Sequence, residues 1–202
     1  VDLLKPHPKN EFYYSRQSPE KYEEIKRSIA AHGIRDPLKV APDYTVLAGH
    51  VRLEIEKELG LTHVPVQFVE GDEEYREYLL IADNDERRDA DDPIRKARRA
   101  EFLKRYWEVR RMSGRERLKV QNAPSKTLTD IAEAIGESGD TTKRLLKLND
   151  LIPALQDLVS QGRLSQTAAY SLAFLPPEEQ EELLRVLGEA GLAGLSVKEA
   201  QE

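Results

Sequence analysis

The sequence contains no cysteine, one methionine and one tryptophan among its 202 residues. The absence of cysteine excludes disulfide frameworks, thiolate nucleophiles and cysteine zinc sites. No apolar run approaches the roughly 18 residues that a membrane-spanning helix needs, and the first ten residues lack the apolar core of a signal peptide. We therefore expect a cytoplasmic protein with no membrane partner. The start at Val1 rather than at a methionine predicts a piece of a longer protein.

An excess of positive charge is also lacking, because 37 acidic residues outnumber 31 basic ones and the net charge is −6. Such a balance argues against a nucleic-acid partner. The distribution is uneven, however. Residues 70–92 contain eleven acidic and three basic side chains, whereas residues 93–119 contain three acidic and eleven basic ones. Either two solvated helix faces neutralise each other, or a phosphate-facing segment lies beside an acidic one.

The first seventy residues alternate between helix and strand patterns. Ser18 and Pro19 are typical of a helix start, and Gly33 is typical of its end. The runs PLKVA, YTVLA and VPVQFV predict three strands, and a helix is predicted from Val51 to Leu59. This order predicts an α+β domain with a small mixed sheet.

Every periodic segment after residue 72 predicts helix. Pro93 is the expected boundary, because proline favours the first turn of a helix and the charge changes sign there. We therefore expect an N-terminal domain over residues 1–92 and an all-α domain over residues 93–202. The segment PIRKARRAEFLKRYWEVRRM predicts a long amphipathic helix with a basic exposed face, on which Arg98 and Arg99 would contact phosphates.

The segment AGHVRLEI carries a strand directly into a helix through Gly49. Glycine lets a ligand approach the backbone, and the first N–H groups of a helix favour anions. Arg52 adds a cation with a fork geometry suited to phosphate, and His50 stands beside it. The alternative is an ordinary strand-to-helix turn.

The segment DNDERRDADDP places carboxylates and arginines within one or two helical turns. Asp83 and Asn84 could hold a magnesium ion, and Arg87 and Arg88 could contact triphosphate oxygens. The alternative is a solvated acidic loop.

Residues 125–149 have the pattern of a helix-turn-helix, which reads TLTDIAEAIGESGDTTKRLLKL from Thr127. Gly136 ends the first predicted helix, and Asp140 is the predicted N-cap of the recognition helix. Hydroxyls at the start of that helix and basic residues behind them suit base edges and phosphates. An ordinary helical hairpin is the alternative. The predicted DNA-contacting residues are Arg98, Arg99, Thr127, Thr129, Ser138, Thr141, Thr142, Lys143, Arg144 and Lys147.

In this order the pieces resemble the ParB family of chromosome and plasmid partition proteins, within the ParB and sulfiredoxin superfamily. LKPHPKN resembles the family's opening pattern, and GIRDPLKV resembles the segment that lies by the base and sugar of the bound nucleotide. GHVRLEI stands where the family has GERRxRA, and DNDER stands where it has ENxxR. The helices after the helix-turn-helix are also similar, so the resemblance covers nearly the whole chain.

The resemblance implies that the N-terminal domain binds CTP with Mg²⁺ and that the helical domain binds a palindromic, parS-like site in double-stranded DNA. Two protomers would close into a nucleotide-gated DNA clamp, and slow CTP hydrolysis would reopen it. A C-terminal dimerisation domain is not expected in this sequence, and a ParA-type ATPase would contact a peptide ahead of residue 1. The implied nucleotide contacts are Gly33, Asp36, Pro37, Gly49, His50, Arg52, Asn84, Arg87 and Arg88. The implied magnesium ligands are Asp83 and Asn84.

Two departures from the family pattern bear on function. His50 replaces a glutamate that the family links to hydrolysis, and Val51 replaces an arginine, so any enzymatic activity is expected to be a slow CTPase at most. The GHxR form resembles plasmid, phage and mobile-element relatives. One alternative is a ParB-like transcriptional regulator without a nucleotide switch. Another is a superfamily kinase or nuclease that uses Asp36, Glu54 or Asp83, whereas a sulfiredoxin activity is excluded because cysteine is absent.

Overall fold

The computed structural model describes residues 1–84, 92–112 and 126–193. The chain forms two compact units, Val1–Asp91 and Asp92–Glu202. We call them unit one and unit two and describe each by itself. Within the described ranges, no helix has the length and apolar character needed to cross a membrane.

Unit one contains a four-stranded mixed sheet with the strand order β1-β3-β2-β4. β2 runs antiparallel to β3, whereas the β1–β3 and β2–β4 pairs are parallel. The predicted α+β class with a small mixed sheet is therefore confirmed, although the first strand and the short helix after it were not predicted. The elements are β1 (Lys5–Pro6), α1 (Asn10–Tyr13), α2 (Pro19–His32), β2 (Leu38–Val40), β3 (Thr45–Ala48), α3 (His50–Glu58), β4 (Val66–Phe68) and α4 (Glu73–Ala82).

Helix α2 begins and ends where its sequence pattern predicts. The Ser18 hydroxyl accepts a hydrogen bond from the backbone N–H of Lys21 at 3.3 Å, and Pro19 occupies the first turn. Gly33 follows the last turn with φ of +70°, a left-handed conformation that glycine adopts without a steric penalty. These local signals fix both ends of the helix.

The sheet of unit one lies between α3 and α4. Because neighbouring residues of a strand point to opposite faces, Val46 packs against Leu53 of α3, whereas Leu47 packs against Leu79 of α4. Helix α2 covers α3 through Ile29, which contacts the apolar side chains on the α3 surface. Strand β3 is therefore packed between α3 and α4, and α3 is itself packed between the sheet and α2.

Unit two is helical throughout its described part. Its elements are α5 (Pro93–Met112), α6 (Leu128–Ile135), α7 (Gly139–Lys147), a 3₁₀ turn (Leu148–Asp150), α8 (Pro153–Ser160), α9 (Gln166–Leu172) and α10 (Pro177–Ala193). Helix α10 is interrupted at Gly188, where φ is +62° and ψ is 173°.

Helices α6 and α7 form the predicted helix-turn-helix and pack against α5. The backbone N–H of Thr127 donates to Asp130 at 2.6 Å at the start of α6, and Gly136 ends that helix in the left-handed conformation. The predicted N-cap of α7 is wrong by two residues. Ser138, not Asp140, caps the helix, because its hydroxyl accepts from the N–H of Thr141 at 3.1 Å.

Candidate functional site

Gly49 makes the junction between β3 and α3 with a backbone conformation that few other residues adopt. Its φ is +96° and its ψ is 27°, within the left-handed region. A Cβ atom at this position would lie 3.1 Å from Leu38 Cγ and 3.3 Å from two guanidinium nitrogens of Arg52. The positive φ therefore favours glycine, and a Cβ atom would also require Leu38 and Arg52 to shift by a few tenths of an ångström. The guanidinium of Arg52 lies directly beside the helix N-terminus.

Arg52 connects α3 to the turn that follows α2. Its Nη1 donates a hydrogen bond to the backbone carbonyl of Asp36, so residues 16 positions apart in sequence meet at one place. Gly33, Asp36 and Arg52 share the lining of a cavity of about 410 Å³, together with residues of α2. Pro37 is exposed and leads from this turn into β2. Two of the predicted motifs therefore converge on a single cavity.

The charges around this cavity are mixed. Lys21 and Arg35 line it together with Arg52, and Glu24 and Asp36 supply two carboxylates. Lys21 and Glu24 pair with each other across one turn of α2 at 3.0 Å. Helix α3 thus contributes one cation to the cavity lining, Arg52, from its first turn. The helix dipole also favours an anion at this position.

Asp83 and Asn84 lie at the end of α4, beside β3. Asn84 is buried, and its amide donates to the carbonyl of Leu47 at 3.3 Å and to the carbonyl of Leu80. Asp83 forms an ion pair with Lys39 at 2.7 Å. Since Leu47 lies two residues before Gly49, the second motif lies close to the start of α3. Arg87 and Arg88 lie outside the described residues.

The structure gives mixed support for a magnesium site at this position. A carboxylate and an amide oxygen are oxygen ligands of the kind that Mg²⁺ accepts. The Asp83 carboxylate already has Lys39 as its counter-ion, however, and among the described residues no three acidic or histidine side chains cluster in a way that could hold a metal. A magnesium ion here would need to replace Lys39 and draw further ligands from phosphate and water.

His50 lies in the first turn of α3, as the sequence predicts, but its side chain is buried. Its side chain is 2% exposed, and its Nε2 accepts a hydrogen bond from the backbone N–H of His7 at 3.2 Å. The first residue of α3 thus points toward the segment before α1, because that segment supplies a backbone donor. The prediction that His50 contacts a nucleotide disagrees with this burial.

A buried polar network beneath His50 was not predicted. The ring of His7 accepts from the N–H of Lys9 at 3.1 Å, and burial lowers the pKa of His7 below 6.5. Lys9 and the Tyr13 hydroxyl both bond the buried carboxylate of Glu77 on α4, at 2.6 Å for the lysine. No sequence spacing indicates this network, because its members come from distant segments.

Glu56 on α3 is a further candidate functional residue that is not among the predicted site residues. Its side chain is 0% exposed, and burial raises its pKa to about 7, against the opposing effect of Arg52. A sequence signal for its burial does exist. Glu56 follows the core residue Leu53 by three positions, which places both residues on one face of α3.

The recognition helix α7 presents only part of its predicted surface. Lys143 and Arg144 are exposed, and Thr141 is half-buried. Thr142 is 0% exposed, and its hydroxyl donates to the Ser138 carbonyl at 2.9 Å. The prediction that Thr142 faces outward is therefore wrong, because the tight start of α7 turns this side chain toward the helix pair.

The remaining predicted DNA contacts at α6 and α7 differ in their surroundings. Thr127, Thr129 and Ser138 are exposed. The Ser138 hydroxyl caps α7, and the Thr127 hydroxyl donates to the Asp130 carboxylate at 2.8 Å. Lys147 is more constrained, since it pairs with Asp150 at 2.7 Å and its ammonium lies 4.5 Å from the ring centre of Phe174.

Over residues 93–107, the part of α5 whose side chains the structure describes, the helix is more buried than a basic exposed face would be. Arg99 is 3% exposed, and Arg98 donates to the Gln156 side chain at 3.0 Å. The reason is that α5 contacts α6, α7 and α8, so it is covered on more than one side. The prediction that Arg99 faces DNA phosphates disagrees with this position.

Two family models match the chain. The ParB N-terminal domain matches residues 4–84 and the ParB HTH domain matches residues 116–202. Among curated relatives, the probable chromosome-partitioning proteins ParB of Pseudomonas putida and Vibrio cholerae are each 28% identical, over 86% and 82% of this chain. These matches cover 55% and 52% of the relatives, so the chain spans about half their length.

Two solved structures share the fold. One is the C-terminally truncated ParB of Caulobacter crescentus complexed to the centromeric parS site, with a TM-score of 0.52 and 22% identity over 99% of this chain and 94% of that chain. The other is a Pnob8-like ParB-N domain, with a TM-score of 0.60 and 18% identity over 94% of this chain and 83% of that chain.

Proposed function

Because the chain belongs to the ParB family, we propose that it is a DNA-partition protein with two linked binding activities. Unit two binds a parS-like palindrome in double-stranded DNA, and unit one binds CTP with Mg²⁺, which gates formation of a DNA clamp. The observation that carries the nucleotide part is the convergence of Gly33, Asp36 and Arg52 on one cavity beside Gly49.

The nucleotide proposal assigns a separate task to each motif. The triphosphate lies at the start of α3, where Arg52 and the first N–H groups of the helix favour negative charge. The turn Gly33–Pro37 then lies by the base and sugar. Asp83 and Asn84 support Mg²⁺ near the phosphates, and the ion would neutralise phosphate charge there.

The DNA proposal rests on the geometry of α6 and α7. Recognition helices enter the major groove with their N-terminal residues toward base edges. Thr141, Lys143 and Arg144 lie on the accessible part of α7, and Thr127 and Thr129 lie at the start of α6, where helix N–H groups favour phosphates. A palindromic site needs two copies of α7, so two protomers bind one site.

Two observations favour a second candidate function. The Lys39–Asp83 ion pair occupies the carboxylate assigned to Mg²⁺, and His50 is buried where the family has a glutamate. Both features fit a ParB-like regulator that binds DNA without a nucleotide switch. In that case nucleotides would leave DNA binding unchanged.

Calorimetric titration of CTP, ATP and GTP in the presence of Mg²⁺ tests the nucleotide part, with and without a DNA site selected from a random library. We expect CTP to bind, and we expect Arg52→Ala to abolish that binding while the fold is kept. Arg27→Ala is the matched control, because Arg27 is an exposed arginine of α2 whose side chain donates to the Glu23 carbonyl at 3.3 Å. Binding of no nucleotide by the wild type with DNA present would exclude the gating proposal and favour the regulator.

A further inference from the structure

Helix α3 carries a carboxyl group in the core of unit one. Glu56 is 0% exposed, and within the described part of the chain neither of its carboxyl oxygens has a hydrogen-bond partner. A buried carboxylate is unfavourable unless charges or donors compensate it, so such a group tends to hold a proton. Whether Glu56 is ionised therefore depends on the few charges that act on it.

The charge that most favours ionisation of Glu56 is Arg52, and the amino group of Val1 acts in the same direction. Arg52 lies four residues earlier on α3, so the two side chains emerge from one face of the helix. The guanidinium is not hydrogen-bonded to Glu56. It donates to the Asp36 carbonyl and lines the cavity that the nucleotide proposal assigns to the ligand.

The other charged groups along this cavity come from α2 and from the turn after it. Lys21 and Glu24 pair with each other at 3.0 Å, and Arg35 and Asp36 follow the helix. Among the side chains that the structure describes, it is Arg52 and not one of these four whose charge acts on Glu56. Arg52 is thus the side chain that couples the cavity to the buried carboxyl.

We propose that Glu56 is a positioning residue that competes with a bound triphosphate for the charge of Arg52, so that nucleotide binding takes up one proton at Glu56. This proposal rests on the proposed nucleotide site. The triphosphate brings negative charge to Arg52 and cancels its field at Glu56. The carboxylate then loses its main compensating charge and takes a proton from solvent on a carboxyl oxygen, with no covalent change.

The proton affinity of Glu56 suits such a coupling. Burial raises its pKa to about 7 in the ligand-free chain, so the carboxyl is largely ionised at about pH 8 and a further increase in its pKa leads to proton uptake there. Nucleotide affinity should then increase as the pH falls. A shift of one to two further pKa units predicts an affinity gain of roughly fivefold between about pH 8 and about pH 6.5.

The test is calorimetric titration of CTP in excess Mg²⁺ into the wild type, Glu56→Gln and Glu54→Gln. At about pH 7.5, two buffers with different ionisation enthalpies report the number of protons taken up, and titrations at about pH 8 and about pH 6.5 report the change in affinity. Glu54 is the matched control, because it is an exposed carboxylate of α3 only two residues away. Glutamine keeps the shape of each side chain and removes its charge, so both variants are expected to fold.

We expect the wild type and Glu54→Gln to take up on the order of half a proton or more at this pH. Glu56→Gln should bind CTP without this uptake and should lose the roughly fivefold pH dependence. Binding of CTP by the wild type without proton uptake overturns the role of Glu56 and leaves the nucleotide site standing. Proton uptake that persists in Glu56→Gln likewise overturns the role of Glu56 and leaves the nucleotide site standing. Failure of all three proteins to bind CTP at any of these pH values overturns the nucleotide site and this proposal together.

Discussion

A carboxyl group inside α3 makes the stability of unit one depend on pH. The ordinary pKa of Glu56 is 4.5, and burial raises it to about 7 in the folded chain. The folded state therefore holds this proton more tightly than the unfolded state does. The resulting stabilisation is complete below pH 4.5 and is lost as the pH increases through 7.

We therefore expect Glu56→Gln to become stabilising relative to the wild type as the pH increases. Between about pH 5 and about pH 8 the difference in the free energy of unfolding should increase by about 2 kcal/mol in favour of the variant. Urea unfolding at both pH values measures it. Glu54→Gln, an exposed control on the same helix, should give a difference that stays constant with pH, and an equal change in both variants would contradict the assignment.

The buried histidine His7 predicts the opposite trend. Burial lowers the pKa of His7 below 6.5, although Glu77 opposes the shift. Since the folded state favours the neutral ring, its contribution to stability is complete above pH 6.5 and is lost as the pH falls below that value. The ring also accepts from the Lys9 N–H, which a protonated nitrogen cannot do.

We expect His7→Asn to reduce the loss of folding stability below about pH 6.5, because asparagine keeps an acceptor but has no titrating ring. The wild type should lose more stability than the variant between about pH 7 and about pH 5.5 in urea unfolding experiments. His32→Asn is the control, since His32 is exposed at the end of α2. A profile for His7→Asn that parallels the wild type would count against the role of His7.

At the scale of single elements, the sequence predicts where helices begin and end better than it predicts which of their side chains are exposed. The start and end of α2 and the end of α6 follow from a capping serine, a proline and two glycines, whose effects are local. β1 is only two residues long and has no periodicity to detect. The position of Arg99 depends on how many helices cover α5, which a local pattern cannot show.

The correction at α7 gives an element-scale prediction. Thr142 is fully buried with its hydroxyl bonded to Ser138, whereas Arg144 is exposed. Thr142→Ala should therefore destabilise unit two by about 1–2 kcal/mol and leave the order of preferred DNA sequences unchanged. Arg144→Ala should change DNA binding with little loss of stability. Thermal unfolding and selection from a DNA library separate the two effects, and an altered base preference in a fully stable Thr142→Ala would contradict the burial.

At the scale of the whole molecule, the net charge of −6 hides a division between the units. Residues 1–91 carry 13 basic and 20 acidic side chains, whereas residues 92–202 carry 18 basic and 17 acidic ones. The net charge is thus −7 for unit one and +1 for unit two. The negative charge that would repel DNA therefore belongs to unit one. Sequence composition could indicate this asymmetry, but it could not show that Arg52 and the turn after α2 meet at one cavity, because that contact depends on the sheet.

Gating requires a free-energy coupling between the two units, and such a coupling is reciprocal. If CTP with Mg²⁺ changes the affinity of the wild type for its DNA site by some factor, the DNA must change the affinity for CTP by the same factor. A coupling of about 1–3 kcal/mol would correspond to roughly five- to 150-fold in each titration. Arg52→Ala should keep the DNA affinity that the wild type has without CTP, and it should lose all response to the nucleotide. Arg27→Ala should retain both effects. Equal DNA affinity with and without saturating CTP would remove the coupling and leave unit two acting as an unswitched DNA-binding module.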